Sequence, residues 1–235
     1  MNLSKVIGSF LGERDLMEYD LIAESYRRKP WEIVSKAVGS ETTWFADLGS
    51  GPGQHSRHLA TLNEVLRGVL IDVSVEMIHR ALKETPENLS HRLYPVLADM
   101  RELPMRSDST DSLLLIASLH HIVPRADRLR TLRECRRVLK KRGRLLVVVW
   151  ARWQKPLVFE ALKDLLAYVL RRKESFWDII RCSRVACRTY HLYSISELVK
   201  ELEAAGFRVI EKGVYVPGGI KRPLNKNYYC LAIKT

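Results

Sequence analysis

The chain has 235 residues, of which 46% are hydrophobic, and its formal net charge is +12 at pH 7. This length and hydrophobic content suffice for one α/β core, and no shift in composition divides the chain, so we predict a single domain over residues 1–235. The basic balance favours a polyanionic partner such as RNA, although binding to a membrane surface and solubility alone are alternative explanations.

The sequence has neither a basic-then-apolar signal pattern nor an apolar run approaching about 18 residues, which predicts a cytoplasmic protein without a membrane span. Its four cysteines contain no C-x-x-C pair, so no zinc site is predicted and we expect free thiols. The cysteines are Cys135, Cys182, Cys187 and Cys230.

Short apolar runs rich in β-branched residues alternate with helical patterns, which indicates a parallel sheet with helices on both faces. Strands are predicted at residues 44–48, 65–71, 93–97, 113–117 and 145–150. Two further runs, 207–216 and 228–233, flank a loop rich in Gly and Pro and predict an antiparallel hairpin. The predicted fold is therefore α/β, with a seven-stranded, mostly parallel sheet closed by a C-terminal antiparallel hairpin.

Two segments lie outside this strand plan. Residues 1–40 predict an N-terminal helical extension, with its helical pattern from about residue 15 to residue 38, and residues 152–187 predict a helical insertion. Both are expected over the carboxyl ends of the strands, where open α/β sheets bind ligands.

A glycine-rich turn follows the first predicted strand. Gly49, Gly51 and Gly53 alternate with other residues, so the backbone can turn tightly and approach a ligand closely. The helix that follows presents free N–H groups to a carboxylate, while Asp47 can pair with an ammonium group. We therefore predict that Asp47, Gly49, Ser50, Gly51 and Gly53 bind a methionine-like group. The spacing differs from the G-x-G-x-x-G of dinucleotide-binding turns, which disfavours NAD.

Acidic residues also follow the second and third predicted strands. Asp72 is placed to accept the two hydroxyls of a ribose, and Asp99 and Met100 to contact the amino group and the face of an adenine. An isolated Asp is more often a helix cap or a surface charge, but three acids at strand ends favour a nucleoside site. With Ser118 after the fourth strand, these residues predict S-adenosylmethionine as the cofactor.

Five motifs carry a resemblance to a known family. They are YDLIAESY at 19–26, KPW at 29–31, LLLIASLHHI at 113–122, VWA at 149–151 and RTYHLY at 188–193. In these motifs the chain resembles the Rossmann-like class I methyltransferases, and among them the tRNA methyltransferases that esterify 5-carboxymethyluridine at the wobble position of the anticodon. The LHH motif alone is also common in quinone-type small-molecule methyltransferases, which gives an alternative function. A tRNA-binding scaffold without cofactor is disfavoured by the intact glycines and acids.

The implied acceptor is a carboxylate, which is already ionised at neutral pH, so the site needs an orienting clamp rather than a strong general base. Arg188, Tyr190 and His191 offer a guanidinium, a hydroxyl and an imidazole, and His120 or His121 could complete the clamp. Because side chains alternate along a strand, Arg188 with Tyr190 is the favoured pair. A structural role for one of the tandem histidines, or for His191 at the start of a helix, is the alternative.

The resemblance also implies a heterodimer with a small zinc-binding activator protein, for which the edge strand at 93–97 is the predicted contact by strand addition. For tRNA, one candidate surface is the stretch 125–144, with ten Lys or Arg and two acids. A second is Arg171, Arg172 and Lys173 with Phe176 and Trp177, since cations can hold phosphate while aromatic rings stack a base. A solvated helix face and a core position for Trp177 are the respective alternatives.

Overall fold

A computed structural model of the chain describes residues 13–23, 26–163, 165–170, 175–183, 186–219 and 226–235. Seven strands form one sheet in the order β3-β2-β1-β4-β5-β9-β8, and two more form a separate hairpin. The strands are β1 (Trp44–Leu48), β2 (Arg67–Asp72), β3 (Leu93–Leu97), β4 (Thr110–Ile116), β5 (Leu139–Trp150), β6 (Asp178–Cys182), β7 (Cys187–His191), β8 (Phe207–Tyr215) and β9 (Asn227–Lys234). The first five are parallel, and β9 is antiparallel to both β5 and β8. The predicted fold class is thus confirmed.

Helices connect most of these strands. They are α1 (Glu13–Ala23), α2 (Gln54–Leu62), α3 (Val75–Glu84), α4 (Glu87–Ser90), α5 (Arg125–Val138), α6 (Lys155–Lys163), α7 (Leu165–Val169) and α8 (Ile195–Ala204), with 3-10 turns at Glu32–Ala37, Leu119–His121 and Pro217–Gly219. Of the helices in the described ranges, none has the length and apolar character needed to cross a membrane.

The central strands bury side chains on both of their faces. In β4, Leu113 and Leu115 belong to one buried cluster, whereas Leu114 and Ile116 belong to a second cluster on the opposite face. Successive side chains of a strand point to opposite faces, and parallel sheets are covered by helices on both sides. The near-continuous apolar run in this strand follows from that arrangement.

The two segments outside the sheet are less helical than predicted. In the N-terminal extension, α1 ends at Ala23, and residues 26–31 run without regular structure to the 3-10 turn. In the insertion, the short helices α6 and α7 are followed by the antiparallel hairpin β6–β7. That hairpin packs Ile179 and Tyr190 against Leu157 of α6 in a small cluster of its own. Tertiary packing therefore decides the structure here, and the local pattern did not reveal it.

The prediction of four free thiols is wrong for two cysteines. Cys182 and Cys187 face each other across the β6–β7 pair, with Cα atoms 3.9 Å apart, and form a disulfide. Cys135 and Cys230 are free and buried. The search for C-x-x-C spacing overlooked the pair because four residues separate the two cysteines at the turn of a hairpin.

Candidate functional site

A cavity of about 410 Å³ lies beyond the carboxyl ends of β1, β2 and β4. Its wall combines the glycine-rich turn, the segments that follow β2, β3 and β4, the N-terminal helix and the hairpin strand β7. Eight of the predicted site residues line it: Gly49, Gly51, Asp72, Asp99, Met100, Ser118, His121 and Arg188. The fold therefore brings cofactor candidates and acceptor candidates to one cavity.

The glycine-rich turn is held against β2 by its own backbone. The N–H groups of Gly49 and Ser50 both donate to the carbonyl of Ile71, at 2.8 and 3.0 Å. Gly49 has a φ of +69°, and a Cβ there would come within 2.5 Å of the Cβ of Ser118. Gly49 is thus required both by its backbone conformation and by the closeness of the segment after β4.

Asp72 is fixed at the end of β2 by backbone donors. Its carboxylate accepts hydrogen bonds from the N–H groups of Gly51 (2.8 Å) and Ser74 (3.0 Å). Burial raises the pKa of Asp72, and these hydrogen bonds counteract part of that effect. The carboxylate thus has a defined orientation on the cavity wall.

Asp99 and Ser118, which come after β3 and β4, differ in whether their side-chain oxygens have hydrogen-bond partners. Asp99 binds Arg101 at 2.7 Å, and Arg101 also reaches Asp127 at 3.2 Å. By contrast, the buried Oγ of Ser118 has no hydrogen-bond partner within the part of the chain described. The preceding residue, Ala117, has a φ of +56°, which is a strained conformation for a residue with a Cβ. A strained segment thus presents a hydroxyl that lacks a hydrogen-bond partner, and a bound ligand could supply that partner.

Three predicted cofactor residues lie outside the cavity wall. Asp47 is buried, accepts a hydrogen bond from the hydroxyl of Ser56 at 2.8 Å, and burial raises its pKa to about 7. Ser50 is buried and its hydroxyl donates to the carbonyl of Gly51. Gly53 precedes α2 with a φ of +79°. These residues shape the turn and start the helix, so direct pairing of Asp47 with an ammonium group is not what the geometry shows.

The acceptor side of the cavity contains His121 and Arg188. The Nδ1 atom of His121 is buried and has no hydrogen-bond partner among the described residues. Burial, together with the positive charges of Arg188 and Arg28, lowers the pKa of His121 to about 3. His121 is therefore neutral at physiological pH and can take part in hydrogen bonding without carrying charge.

His120 and Tyr190 lie behind this wall in an aromatic stack. The rings of Tyr190 and Trp150 are 4.6 Å apart and nearly parallel, and the backbone N–H of Trp150 donates to Nδ1 of His120. The guanidinium of Arg188 lies 5.3 Å from the centre of the Tyr190 ring. Arg188 and Tyr190 thus share a face of β7, as predicted, but Tyr190 supports the arginine instead of lining the cavity.

His191 also lies outside the cavity, although it was a candidate for the clamp. Its Nδ1 is 2.6 Å from Asp178 and its Nε2 is 3.0 Å from Glu197, so both ring nitrogens are engaged. Burial by itself lowers the pKa of His191, but the hydrogen bonds to the two carboxylates outweigh it and raise the pKa above its usual value. His191 joins the β6–β7 hairpin to α8, which is a structural role.

Sequence reasoning missed several residues at or near the cavity. Tyr19, Tyr26 and Thr189 line the cavity. The charge of the exposed Arg28 lowers the pKa values of His120 and His121. The available signal was the motif at 19–26 and the basic residues after it, which carried the family resemblance but received no chemical role.

The structure describes only part of the predicted RNA surfaces, and two of their residues have packing roles. Arg171, Arg172 and Lys173 lie outside the described residues. The ring of Trp177 packs against Phe176 in the insertion, and the guanidinium of Arg152 covers it at 4.6 Å. In the basic stretch at 125–144, Arg128 is buried in an ion pair with Glu201 at 2.9 Å. A packing role thus accounts for Trp177 and Arg128.

Comparison with protein families gives an independent assignment of the domain. The profile of a methyltransferase domain matches residues 46–147. The tRNA (carboxymethyluridine(34)-5-O)-methyltransferase of Schizosaccharomyces pombe is 28% identical over 214 residues, covering 83% of this chain and 89% of the yeast protein. A methyltransferase of Encephalitozoon cuniculi is 32% identical over 124 residues, and a demethylmenaquinone methyltransferase of Thermotoga maritima is 31% identical over 147 residues. The chain spans 54% and 58% of the lengths of these last two relatives.

Solved structures give the same picture of the fold. A SAM-dependent methyltransferase of Methanosarcina mazei superposes with a TM-score of 0.74 at 19% identity, covering 88% of this chain and 99% of that one. A chain from the complex between the Haloferax volcanii Trm112 methyltransferase activator and a methyltransferase superposes with a TM-score of 0.61 at 18% identity, covering 97% and 94%. At these identities the likeness establishes the fold.

Proposed function

We propose that this chain, in which residues 46–147 match the profile of a methyltransferase domain and whose fold resembles that of a solved S-adenosylmethionine-dependent methyltransferase, methylates the carboxylate of 5-carboxymethyluridine at the wobble position of tRNA. One observation carries the proposal. Arg188, a cation suited to a carboxylate, lines the same cavity as the glycine-rich turn and Asp72.

The residues of the cavity fit S-adenosylmethionine. When bound, this cofactor would supply a methyl group on a sulfonium: a nucleophile in line with the carbon–sulfur bond would bond to the methyl carbon, and S-adenosylhomocysteine would leave. Gly51 allows close approach of its amino acid part, and Asp72 presents a fixed carboxylate toward its ribose. The unsatisfied hydroxyl of Ser118 is available to the same ligand. This fit rests on the buried Ser118 hydroxyl, which lacks a partner among the described residues, and on the absence of a Cβ atom at Gly49 and Gly51.

The acceptor side suits an ionised oxygen nucleophile. A carboxylate has a pKa near 4, so it reaches the site already charged and no proton has to be removed. Arg188 orients the carboxylate, and the stack of Tyr190 on Trp150 holds Arg188 in place. Neutral His121 contributes a hydrogen bond, and Arg28 adds positive charge nearby. The role of these side chains is to fix one oxygen within about 3–3.5 Å of the methyl carbon.

Two general features support tRNA as the carrier of this carboxylate. The net charge of +12 favours a polyanion. The Schizosaccharomyces pombe relative, which aligns over most of both chains, carries the name of this reaction. A tRNA substrate is also consistent with the predicted cytoplasmic location.

A small activator protein fits the exposed edge of the sheet. β3 is an edge strand, and Tyr94 is 40% exposed and stacks on Trp44. The backbone N–H of Gly68 donates to the carbonyl of Arg92, and that of Ala98 donates to the carbonyl of Asp72. In a parallel pair this pattern means that Leu93, Pro95 and Leu97 direct their backbone groups away from β2. Since proline has no N–H, an added strand would find donors only at residues 93 and 97. A partner strand could therefore pair with this edge through a ladder of hydrogen bonds that is interrupted at Pro95. The proposed partner is a Trm112-type activator, of the kind seen in complex with a methyltransferase.

A quinone-type acceptor is the second candidate. The Thermotoga maritima relative is a demethylmenaquinone methyltransferase, and the cavity wall includes the apolar residues Ile116, Ile122 and Val123. An apolar acceptor would bind there without using the charge of Arg188. The two candidates thus differ in their dependence on this arginine.

The proposal is tested by incubating the full chain, with and without a Trm112-type activator, with labelled S-adenosylmethionine and either bulk tRNA that carries unesterified 5-carboxymethyluridine or a demethylmenaquinone. We expect label on the wobble uridine of tRNA, identified by mass spectrometry of nucleosides, and its loss in Arg188→Ala. Arg208→Ala, which removes an exposed arginine from β8, is the matched control and should retain activity. Label on the quinone, or on any other nucleoside, would reject the proposed acceptor.

A further inference from the structure

A second groove, of about 670 Å³, lies between the segment after β3 and helix α5. Its lining is unusually rich in arginine, with five guanidinium groups: Arg101, Arg106, Arg130, Arg133 and Arg137. Two glutamates, Glu102 and Glu134, also line it. The groove is therefore strongly positive, and neither the cofactor site nor the acceptor site accounts for it.

Three of the arginines form a row along one side of α5. Arg130, Arg133 and Arg137 are three and four residues apart, so their side chains lie on the same helix face. Arg137 comes seven positions after Arg130, which corresponds to a rise of about 10 Å along the helix axis. A single phosphate ion cannot contact both ends of such a row, whereas a chain of phosphates can.

The ion pairs of the groove leave part of its charge available. Glu102 binds Arg130 at 3.1 Å, and Glu134 binds Arg137 at 2.7 Å. Arg137 also donates to the carbonyls of Leu103 (3.0 Å) and Met105 (2.7 Å), which fixes its orientation. The side chains of Arg106 and Arg133 are exposed, and no ion pair is recorded for either within the described ranges. These two arginines are the cations best able to accept a new anionic partner.

The groove meets the active-site cavity at Arg101, which lines both. Arg101 is held between Asp99 and Asp127, so the junction has a fixed geometry. A polyanion in the groove would therefore lie next to the mouth of the cavity. This continuity favours a part of the substrate over an unrelated anion.

We propose that the arginine groove binds the phosphate backbone of the tRNA substrate and guides the anticodon loop toward the cavity. This inference rests on the proposed function, because it assigns a binding surface to the same substrate. Arg106 and Arg133 each neutralise a phosphate, while Arg137 and Arg101 mark the two ends of the track. Such contacts contribute affinity without reading sequence.

The test uses the full chain with its activator and the double variant Arg106→Glu with Arg133→Glu. The matched control is Arg67→Glu with Lys83→Glu, which makes the same change of charge at exposed positions on β2 and α3. Affinity for fluorescently labelled tRNA is measured as a function of KCl concentration. We expect the groove variant to bind tRNA about tenfold more weakly, and its log–log salt slope to fall by about 1.4, which is two single-strand phosphate contacts. Its affinity for S-adenosylmethionine should be unchanged.

The outcomes separate the two proposals. Equal tRNA affinity of the groove and control variants, with tRNA still methylated, overturns the groove assignment and leaves the function intact. Loss of affinity for the activator, without loss of tRNA affinity by the assembled complex, assigns the groove to a protein partner and also overturns it. If the unaltered complex binds no tRNA at all, the proposed function fails and the groove assignment fails with it.

Discussion

The two sides of the cavity are built in different ways. On the cofactor side, Gly49 and Asp72 lie at the ends of parallel strands and are held by backbone hydrogen bonds, Gly49 by the carbonyl of Ile71 and Asp72 by the N–H of Gly51. On the acceptor side, Arg188 lies on a separate two-stranded hairpin that is joined to the main domain by side chains, notably His191 with Glu197. The first side is therefore fixed by the fold itself, whereas the second depends on a few buried polar contacts.

The largest effect is expected from breaking those buried contacts. His191 and Asp178 are almost fully buried, so His191→Gln removes the cation that lies between the carboxylates of Asp178 and Glu197. Removing one member of a buried ion pair destabilises a protein by about 3–5 kcal/mol. Urea unfolding should show a loss of this size, and His79→Gln, at an exposed position on α3, should show almost none.

The same contact should make stability depend on pH. The folded-state pKa of His191 is raised above its unfolded value of about 6.5, so its contribution is complete below that pH and is lost as pH rises through the folded-state pKa. The unaltered chain should therefore lose stability as pH rises above about 6.5, and His191→Gln should lose less over the same range. Parallel pH profiles for the two proteins would contradict the assignment of this contact.

The next largest effect concerns catalysis. Arg188→Ala removes the charge that orients the acceptor carboxylate, so turnover should fall by about 100- to 1000-fold, the usual cost of losing one electrostatic contact to the reacting group. Affinity for S-adenosylmethionine, measured by calorimetry, should stay within about twofold, because the cofactor residues belong to other elements. An equal loss of turnover and cofactor affinity would place Arg188 on the cofactor side instead.

The same difference between the two sides explains what the sequence could predict. Gly49, Asp72, Asp99 and Ser118 each follow a strand directly, and short apolar runs reveal strands well, so these positions follow from local pattern. The closing hairpin follows from the same pattern. The hydrogen bond from Ser56 to Asp47 could not be predicted, because it joins the strand to a side chain of the next helix.

The acceptor side was predicted less completely because its geometry is non-local. Arg188 was identified through a motif, and its pairing with Tyr190 through strand alternation. The position of Tyr190 behind the wall depends on Trp150, which is forty residues earlier in the chain. The engagement of His191 depends on Asp178 across the hairpin, whose first strand lies in the segment that was predicted to be a helical insertion. Arg28 and Thr189 were missed for the same reason.

Substitutions in the glycine-rich turn should have effects of intermediate size, and two of its glycines should differ in whether stability or ligand binding is affected more. A Cβ at Gly49 would clash with Ser118, so Gly49→Ala should destabilise the fold as well as weaken binding. A Cβ at Gly51 would lie 3.8–3.9 Å from Tyr26 and Met77, two residues of the cavity wall, so Gly51→Ala should mainly obstruct the cofactor. For Gly51→Ala we expect about tenfold weaker cofactor binding, or about 1.4 kcal/mol, with a smaller loss of stability than for Gly49→Ala in thermal unfolding. The reverse order would contradict the assignment of the turn.

A smaller effect is expected at the unsatisfied hydroxyl. Ser118→Ala removes one hydrogen bond to the cofactor, worth about 0.5–1.5 kcal/mol, which corresponds to about 2- to 10-fold in affinity. In the absence of cofactor, the same change removes a buried group that lacks a partner, so thermal stability should be unchanged or higher. Unchanged cofactor affinity would show that Ser118 does not contact the ligand.

The smallest expected effect is the response of turnover to pH. His121 has a pKa of about 3 and the acceptor carboxylate ionises near pH 4, so neither changes charge between about pH 6 and pH 8. The kcat measured over that interval should therefore be flat. A tenfold rise per pH unit with a break near 6.5 would instead indicate a histidine that acts as a general base.

The central claim is that the methyl group is transferred to a carboxylate of tRNA, and the chemical stability of the product tests it most directly. A methyl ester is hydrolysed by mild base, whereas a methyl group on carbon or on a base nitrogen is retained. After reaction with methyl-labelled S-adenosylmethionine, tRNA treated with mild base should release its label as methanol in step with loss of label from the RNA. Label that remains on the tRNA through this treatment would contradict the account.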